Sequence, residues 1–103
     1  KNMIKSNGQN IYVERIEAEI LKYPGIVDCA MIAEKDGDGH EIPCLYIKTA
    51  QNQFDGAAFK KFMHENFQSF EIPRKIKTLD KGIPKTPFLK TDHQALKNAT
   101  GDA

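Results

Sequence analysis

Lys90 is the residue whose setting is best suited to chemistry. It stands in the stretch GIPKTPFLKTDHQAL, where prolines and threonines precede a short helical pattern. Proline restricts the backbone φ angle, so such a loop can hold one ammonium group in a defined direction, as an action on a phosphate would require. Most loop lysines are only solvated surface charges. The stretch by itself therefore makes Lys90 a candidate and no more.

No second catalytic arrangement is predicted. His40, His64 and His93 are far apart and stand at no metal-ligand spacing with one another or with a cysteine, so the sequence predicts no metal site. Asp36 and Asp38 lie beside glycines, but the glutamate that closes an EF-hand loop is missing, which favours a plain turn. The sequence also has no P-loop, and no Ser-His-acid triad can be placed.

Length and composition indicate a single domain over residues 1–103, with the 40% hydrophobic and 28% charged residues of an ordinary soluble protein. The net charge is only +1, but lysines crowd the C-terminal third and make it a candidate anion-facing surface. No apolar run approaches the length of a membrane span and no signal peptide is visible, so a cytoplasmic protein is expected. The chain opens on lysine in KNMIK, which indicates a piece of a longer protein.

The first third of the chain predicts a hairpin followed by a helix. SNGQN is typical of a tight hairpin turn with positive φ. Val13, Ile16 and Ile20 recur at helical spacing and predict an amphipathic helix. Its opposite, solvent face is assigned to charged residues, namely Glu14, Glu17 and Lys22.

The remaining pattern predicts a small α+β domain. Apolar runs at 26–33 and 43–49, joined by a long polar tip, indicate an antiparallel strand pair, and residues 74–79 indicate a third strand. Asp55 can cap a second helix, and Thr91 or Asp92 a last short one. We therefore expect a three-stranded antiparallel or mixed sheet with helices packed on one face, plus the N-terminal hairpin.

The two cysteines, Cys29 and Cys44, fall in the two predicted neighbouring strands. A disulfide between them is geometrically conceivable. Buried free thiols are favoured, because two cysteines do not build a secreted disulfide framework.

Two stretches at opposite ends of the chain carry a family resemblance, KNMIKSNGQNIYVERIE and SFEIPRKIKTLDKGIPKTPFLKTDHQAL. With YPGIVDCAMI between them, their order and spacing resemble the C-terminal domain of the adenylate-forming enzymes. This superfamily comprises acyl-CoA synthetases, peptide synthetase adenylation domains and firefly luciferase. The likeness covers nearly the whole chain, and IPKTPFLK matches the approach to the family's catalytic lysine. The SNGQNIY segment is most similar to that of long-chain fatty acyl-CoA ligases.

The resemblance implies roles for individual residues. Lys90 falls on the lysine that contacts the substrate carboxylate and the α-phosphate of ATP, where a cation offsets the charge that develops as the acyl-adenylate forms. Lys1 falls on the hinge about which this domain turns between the two half-reactions. Asn7, Gly8 and Gln9 would line the tunnel for the pantetheine thiol of CoA.

The same resemblance implies an enzyme larger than this chain. That enzyme would convert a carboxylic acid and MgATP to acyl-AMP and transfer the acyl group to CoA, with a fatty acid as the expected substrate. Its N-terminal domain would hold most contacts to ATP and Mg²⁺, so the isolated chain is expected to be inactive. The expected partners are that domain, the acid, ATP and CoA, with no nucleic acid and no membrane span.

Four residues depart from the family's pattern. Leu89 stands where glycine commonly precedes the lysine, Val13 where proline is common, and Arg15 where an acid is common. Asn10 occupies a position that is often arginine in acetyl-CoA synthetase-like members, so no phosphate contact is assigned to it. These substitutions bear on rate and specificity more than on fold.

Two alternative functions stay open at this point. The first alternative stays within the family, but the acceptor of the acyl group is a carrier-protein phosphopantetheine rather than free CoA. Outside it, the chain is a basic α+β binding module for RNA or another acidic partner. That second alternative lacks the exposed aromatic pattern of RNA binders, since Phe59 and Phe62 lie on a helical stripe.

Overall fold

The computed structural model describes residues 3–50 and 54–100, so Lys1, the expected hinge, lies outside the described residues. The helices and strands are β1 (Met3–Ser6), β2 (Gln9–Tyr12), α1 (Val13–Ile20), β3 (Ile26–Lys35), β4 (Glu41–Thr49), α2 (Gly56–Asn66), a short 3-10 helix (Ser69–Glu71), β5 (Lys75–Thr78) and α3 (His93–Thr100). β1 pairs with β2, and β3, β4 and β5 form a three-stranded sheet in that order. The predicted α+β class is confirmed.

The N-terminal hairpin forms as the SNGQN pattern predicts. Asn7 and Gly8 occupy its turn with positive φ angles of 51° and 79°, which is the geometry of a tight turn between right-twisted strands. Ile4 pairs with Ile11 across the hairpin, and both side chains are buried in the core. The hairpin is thus fastened to the body of the domain through one apolar face.

The main sheet is mixed. β3 and β4 pair antiparallel, whereas β5 runs parallel to β4, as a strand reached through the α2 crossover can. Both strands of the antiparallel pair are longer than predicted, and the connection shrinks to residues 36–40. Asp36 closes this connection, because its Oδ1 accepts the backbone N–H groups of Asp38 and His40, each at 2.9 Å.

The core occupies both faces of the sheet, so the expectation of helices on one face only is wrong. On one face the hairpin, α1 and α2 pack over Cys29, Met31 and their neighbours. On the other face Leu96 of α3 packs over Ala30 and Ile32. Successive strand residues point to opposite faces, so a continuously apolar strand needs cover on both.

Glu17 also corrects the sequence interpretation. The helical pattern places it on the solvent face, yet it is only 8% exposed. It follows Val13 by four residues and precedes Ile20 by three, which puts it within the buried stripe of α1. A buried carboxylate needs partners, and those partners belong to the site described below.

Several smaller predictions are confirmed. Asp55 caps α2, because its Oδ1 accepts the N–H groups of Ala57 at 3.0 Å and Ala58 at 3.2 Å. Asp92 caps α3 by accepting the N–H of Ala95 at 2.9 Å. Both cysteines are free and buried, and they lie in the two different core clusters. Within residues 3–50 and 54–100, no helix is both long and apolar enough to cross a membrane.

Candidate functional site

Lys90 lies in a closed loop, which we call the lysine loop (residues 85–91). Lys85 and Thr91 form an antiparallel bridge at its base. Above the bridge, the N–H of Thr86 donates to the carbonyl of Lys90 at 2.7 Å. Below it, the N–H of Asp92 donates to the carbonyl of Pro84 at 2.9 Å, directly before α3 begins. Backbone hydrogen bonds thus fix the position from which the Lys90 side chain projects.

Thr86 organises the tip of the lysine loop. Its Oγ1 accepts two backbone N–H groups, from Phe88 at 3.2 Å and from Lys90 at 3.3 Å. Its carbonyl accepts the N–H of Leu89 at 2.9 Å. Threonine side chains that hydrogen-bond the backbone two residues on stabilise turns in this way. The tip is therefore a defined turn and not a loose connection.

The two lysines of the loop differ in their surroundings. Lys85 Nζ lies 2.6 Å from Asp28 Oδ2, which ties the base of the loop to β3. Lys90 is exposed, and no carboxylate in the part of the chain that the structure describes lies within ion-pair distance of it. The structure therefore presents the Lys90 ammonium to solvent from a rigid turn, as contact with an external anion requires.

Leu89 holds the residue before the lysine in an unusual conformation. Its φ angle is 64°, in the left-handed region that costs a residue with a Cβ roughly 1–2 kcal/mol. Glycine adopts this region without that cost, which gives a backbone reason for the family's common glycine at this position. Its side chain is 82% exposed, so packing in this domain offsets little of the strain.

The turn of the N-terminal hairpin holds the other predicted site residues, Asn7, Gly8 and Gln9. All three are exposed. Gly8 has open space where a Cβ would be, so its positive φ, rather than crowding within this domain, is what requires glycine. Ser6 Oγ donates to the carbonyl of Glu41 at 3.1 Å and places the turn beside the start of β4.

These two exposed sites lie at opposite ends of one strand. Lys85, at the base of the lysine loop, binds Asp28 near the start of β3. The hairpin turn lies beside Glu41, which pairs with Lys35 at the end of β3. Seven residues separate Asp28 from Lys35, which in a strand is about 23 Å. The structure thus does not bring Lys90 together with the hairpin residues; it holds them apart.

A largely buried pair that the sequence patterns do not reveal lies directly behind the lysine loop. His93 Nε2, three residues after Lys90, lies 2.7 Å from Glu17 Oε2, and the same oxygen accepts the N–H of Met31 at 2.8 Å. The hydrogen bond to Glu17 raises the pKa of His93, against the opposing effect of burial. The helical geometry of α1 could have indicated Glu17, but its partner depends on the tertiary fold.

One group of possible metal ligands lies in the connection between β3 and β4. A ligand atom from each of Asp36, Asp38 and His40 lies within 4.8 Å of the others. Asp36 already holds two backbone N–H groups there, and these hydrogen bonds lower its pKa. The predicted plain turn thus accounts for the carboxylate of Asp36, and we assign no ion to the group.

The chain belongs to the family described as AMP-binding enzyme C-terminal domain, whose model matches residues 15–90. It is 32% identical over 96 residues to a 2-succinylbenzoate–CoA ligase of Listeria monocytogenes, a match that covers 93% of this chain and 20% of that protein. It is 30% identical to bacitracin synthase 1 of Bacillus licheniformis, over 98% of this chain and 2% of that protein. The chain thus spans a fifth or less of these relatives.

Solved structures have the same fold. A fatty acyl CoA synthetase of Mycobacterium tuberculosis superposes with a TM-score of 0.85 at 25% identity, over 96% of this chain and 20% of that one. Apo MatB from Rhodopseudomonas palustris superposes with a TM-score of 0.86 at 24% identity, over 99% and 20%. The resemblance inferred from the two end stretches is therefore confirmed at the level of the family and the fold.

Proposed function

We propose that this chain is the mobile C-terminal domain of an acid–thiol ligase, which makes an acyl-adenylate from a carboxylic acid and ATP and then passes the acyl group to a thiol. Family membership supports the adenylate-forming class. The similarity to a CoA ligase over nearly the whole chain supports CoA as the thiol. The larger N-terminal domain of such an enzyme would hold the acid pocket and most contacts to ATP and Mg²⁺.

Lys90 is the proposed catalytic residue of the adenylation step. The attack of a carboxylate on the α-phosphate brings anions together, and a positioned cation lowers the energy of the charge that develops. The rigid turn and the exposure of Lys90 support this role, because the ammonium group reaches beyond the domain surface.

Asn7, Gly8 and Gln9 are the proposed wall of the pantetheine tunnel in the second step. The observation that carries this two-site proposal is the placement of the hairpin turn and the lysine loop at opposite ends of β3. The strand positions beside which the two sites are anchored, Asp28 and Lys35, are about 23 Å apart along β3, so we do not expect both sites to face one reaction centre at the same time. A rotation between the half-reactions would present them in turn, and Lys1 is the proposed hinge.

The test joins this domain to its N-terminal domain and measures each half-reaction separately. ATP–pyrophosphate exchange follows adenylation, with 2-succinylbenzoate, 2,3-dihydroxybenzoate and decanoate as acid probes. We expect Lys90→Ala to lower adenylation by about a hundredfold or more, as loss of a charge-stabilising donor does. Thioester formation from a preformed acyl-adenylate should be unchanged.

The matched control is Lys61→Ala, which removes an exposed lysine of α2 instead. It should leave both half-reactions at the wild-type rate. An enzyme that adenylates at full rate without Lys90 would disprove the assignment of that lysine.

A carrier-protein phosphopantetheine is the second candidate acceptor. The similarity to bacitracin synthase 1, at 30% identity over 98% of this chain, supports it. Comparing free CoA with a phosphopantetheinylated carrier protein as acceptors for the same acyl-adenylate separates the two candidates. If the acyl group is transferred faster to the carrier protein, the carrier protein replaces CoA as the proposed acceptor.

The fatty class of the acid is a finer proposal. It is supported by the similarity of the SNGQNIY segment to long-chain fatty acyl-CoA ligases and by the fatty acyl CoA synthetase among the structural neighbours. Decanoate should then be the best of the three acid probes. Preference for either aromatic acid would overturn the fatty assignment and leave the ligase proposal intact.

A further inference from the structure

The tip of the lysine loop carries two large apolar side chains into water. Phe88 is 84% exposed and Leu89 is 82% exposed, more than any other exposed large hydrophobic residue in the described chain. Leu21, which is 45% exposed, lines the same concave surface beside the loop. Single exposed apolar residues are common, but an adjacent pair beside a third forms a patch of the kind that interaction sites use.

The backbone conformation of Leu89 shows that the stability of this domain does not account for a leucine at this position. A leucine at a φ angle of 64° is strained, and glycine at the same position would not be. Because the leucine side chain is exposed, it adds little packing to this domain in return. A strained, exposed leucine beside the proposed catalytic lysine indicates a contact made outside this domain.

The tip is also rigid relative to Lys90. Thr86 Oγ1 accepts the N–H groups of both Phe88 and Lys90, and the N–H of Leu89 donates to the Thr86 carbonyl. The backbone of Phe88 and Leu89 therefore moves with that of Lys90 as one unit. Wherever Lys90 enters an active site, Phe88 and Leu89 arrive beside it.

We propose that Phe88 and Leu89 form an apolar clamp that packs against an apolar wall of the enzyme's own N-terminal domain when Lys90 reaches the adenylation site. This inference rests on the proposed function, because its partner is the domain whose active site Lys90 enters. The clamp favours the adenylation orientation and excludes water around the lysine. A second copy of the chain is a poorer candidate for the partner of Phe88 and Leu89. Contact between two copies would not explain why hydrogen bonds through Thr86 hold these residues in a fixed position relative to Lys90.

Hydroxyl-radical footprinting of the full-length enzyme tests the contact without knowledge of the acid. With ATP alone as the probe, oxidation of Phe88 and Leu89 should fall severalfold below that of the unfolded enzyme. Val27, an exposed aliphatic residue of β3, is the internal reference and should stay reactive. Oxidation of Phe88 and Leu89 at the rate of the unfolded enzyme, with and without ATP, would overturn the clamp.

Variants of the tip test its effect on adenylation. The assay uses whichever of the three acid probes the wild-type enzyme adenylates fastest. Phe88→Ser and Leu89→Gly should each lower kcat/KM for adenylation by about tenfold, as truncation of a buried interface side chain does. Phe88→Leu should retain most of the rate, and thioester formation from a preformed acyl-adenylate should be unchanged in all three. Leu89→Gly should also leave the melting temperature equal or higher, because it relieves the strained φ angle.

Lys90→Ala in the same assay separates the two proposals. If Lys90→Ala adenylates at full rate, the proposed catalytic role of Lys90 fails and the clamp fails with it, while the ligase proposal stands. If Lys90→Ala is inactive while Phe88→Ser and Leu89→Gly adenylate normally, only the clamp is wrong. A dimer that both tip variants abolish, with adenylation unaffected, would assign the tip to a second copy and overturn the clamp.

Discussion

His93 of α3 and Glu17 of α1 form a largely buried pair, with 2.7 Å between His93 Nε2 and Glu17 Oε2. The same oxygen of Glu17 accepts the N–H of Met31 in β3 at 2.8 Å. One carboxylate therefore joins two helices to β3, the strand to which the ion pair between Lys85 and Asp28 ties the base of the lysine loop. Because α3 begins directly after that loop, the pair fixes the downstream end of the segment that holds Lys90.

Removal of this carboxylate should destabilise the domain. We expect Glu17→Ala to lower the free energy of unfolding by about 2–3 kcal/mol, because it leaves the Met31 N–H and the His93 ring without their partner. Chemical denaturation followed by circular dichroism measures this. Glu65→Ala, at an exposed position of α2, is the control and should change stability by less than about 0.5 kcal/mol. Equal stability of the two variants would contradict the assigned role of Glu17.

The pair should also make stability depend on pH. Glu17 raises the pKa of His93 above its ordinary value of 6.5, with further contributions from Glu14 and Asp92. A raised folded-state pKa stabilises the fold fully below the unfolded-state value, and this stabilisation is lost as pH rises through the folded-state value. The stability advantage of wild type over His93→Gln should therefore shrink from pH 6 to pH 8.5.

The control for this pH dependence is His64→Gln, which replaces an exposed histidine of α2. Its stability should parallel that of wild type across the same pH range. An advantage of wild type over His93→Gln that stays constant, or grows with pH, would show that His93 is not held in its charged form.

Thr86 should matter for one half-reaction only. Thr86→Val keeps the shape of the side chain but removes the acceptor for the N–H groups of Phe88 and Lys90. A catalytic group that is misplaced by about 1 Å can cost up to about a hundredfold in rate, so adenylation by the joined enzyme should fall by about tenfold to a hundredfold. Thr86→Ser should recover most of the rate. A similar fall in thioester formation would indicate general unfolding instead.

Both thiols should be inert in the folded domain. Burial raises the pKa of Cys29 to about 12 and that of Cys44 to about 12, so neither forms a thiolate near neutral pH. Ellman's reagent at pH 8 should label neither residue until the domain unfolds. Val27→Cys places a thiol at an exposed position of β3 and should react at once, as the control. One equivalent of rapid labelling in the wild type would contradict the buried placement.

Local signals were enough for much of the fold. The SNGQN turn, the capping residues Asp55 and Asp92, and the apolar strand runs each act within a few residues of sequence, and each prediction from them is confirmed. Lys90 was likewise recognisable from its proline- and threonine-rich loop and from the family resemblance. Its chemical role stays a prediction.

Features that depend on the tertiary fold were not predictable in the same way. The cover of the second sheet face by Leu96 depends on the path of the chain after β5. The pairing of Glu17 with His93 joins residues 76 positions apart, which no helical or strand period reveals. The strained φ angle of Leu89 is set by the hydrogen bonds of the closed loop, whereas the sequence shows only an unusual neighbour for the lysine.

The length of β3 has a kinetic consequence under the proposed function. Since a rigid strand separates the lysine loop from the hairpin turn, occupancy of the reaction centre by one loop excludes the other. A ligand that favours one orientation then inhibits the step that needs the other. The domain must then turn once in each direction during every catalytic cycle, so the rate of this rotation sets an upper limit on the overall rate.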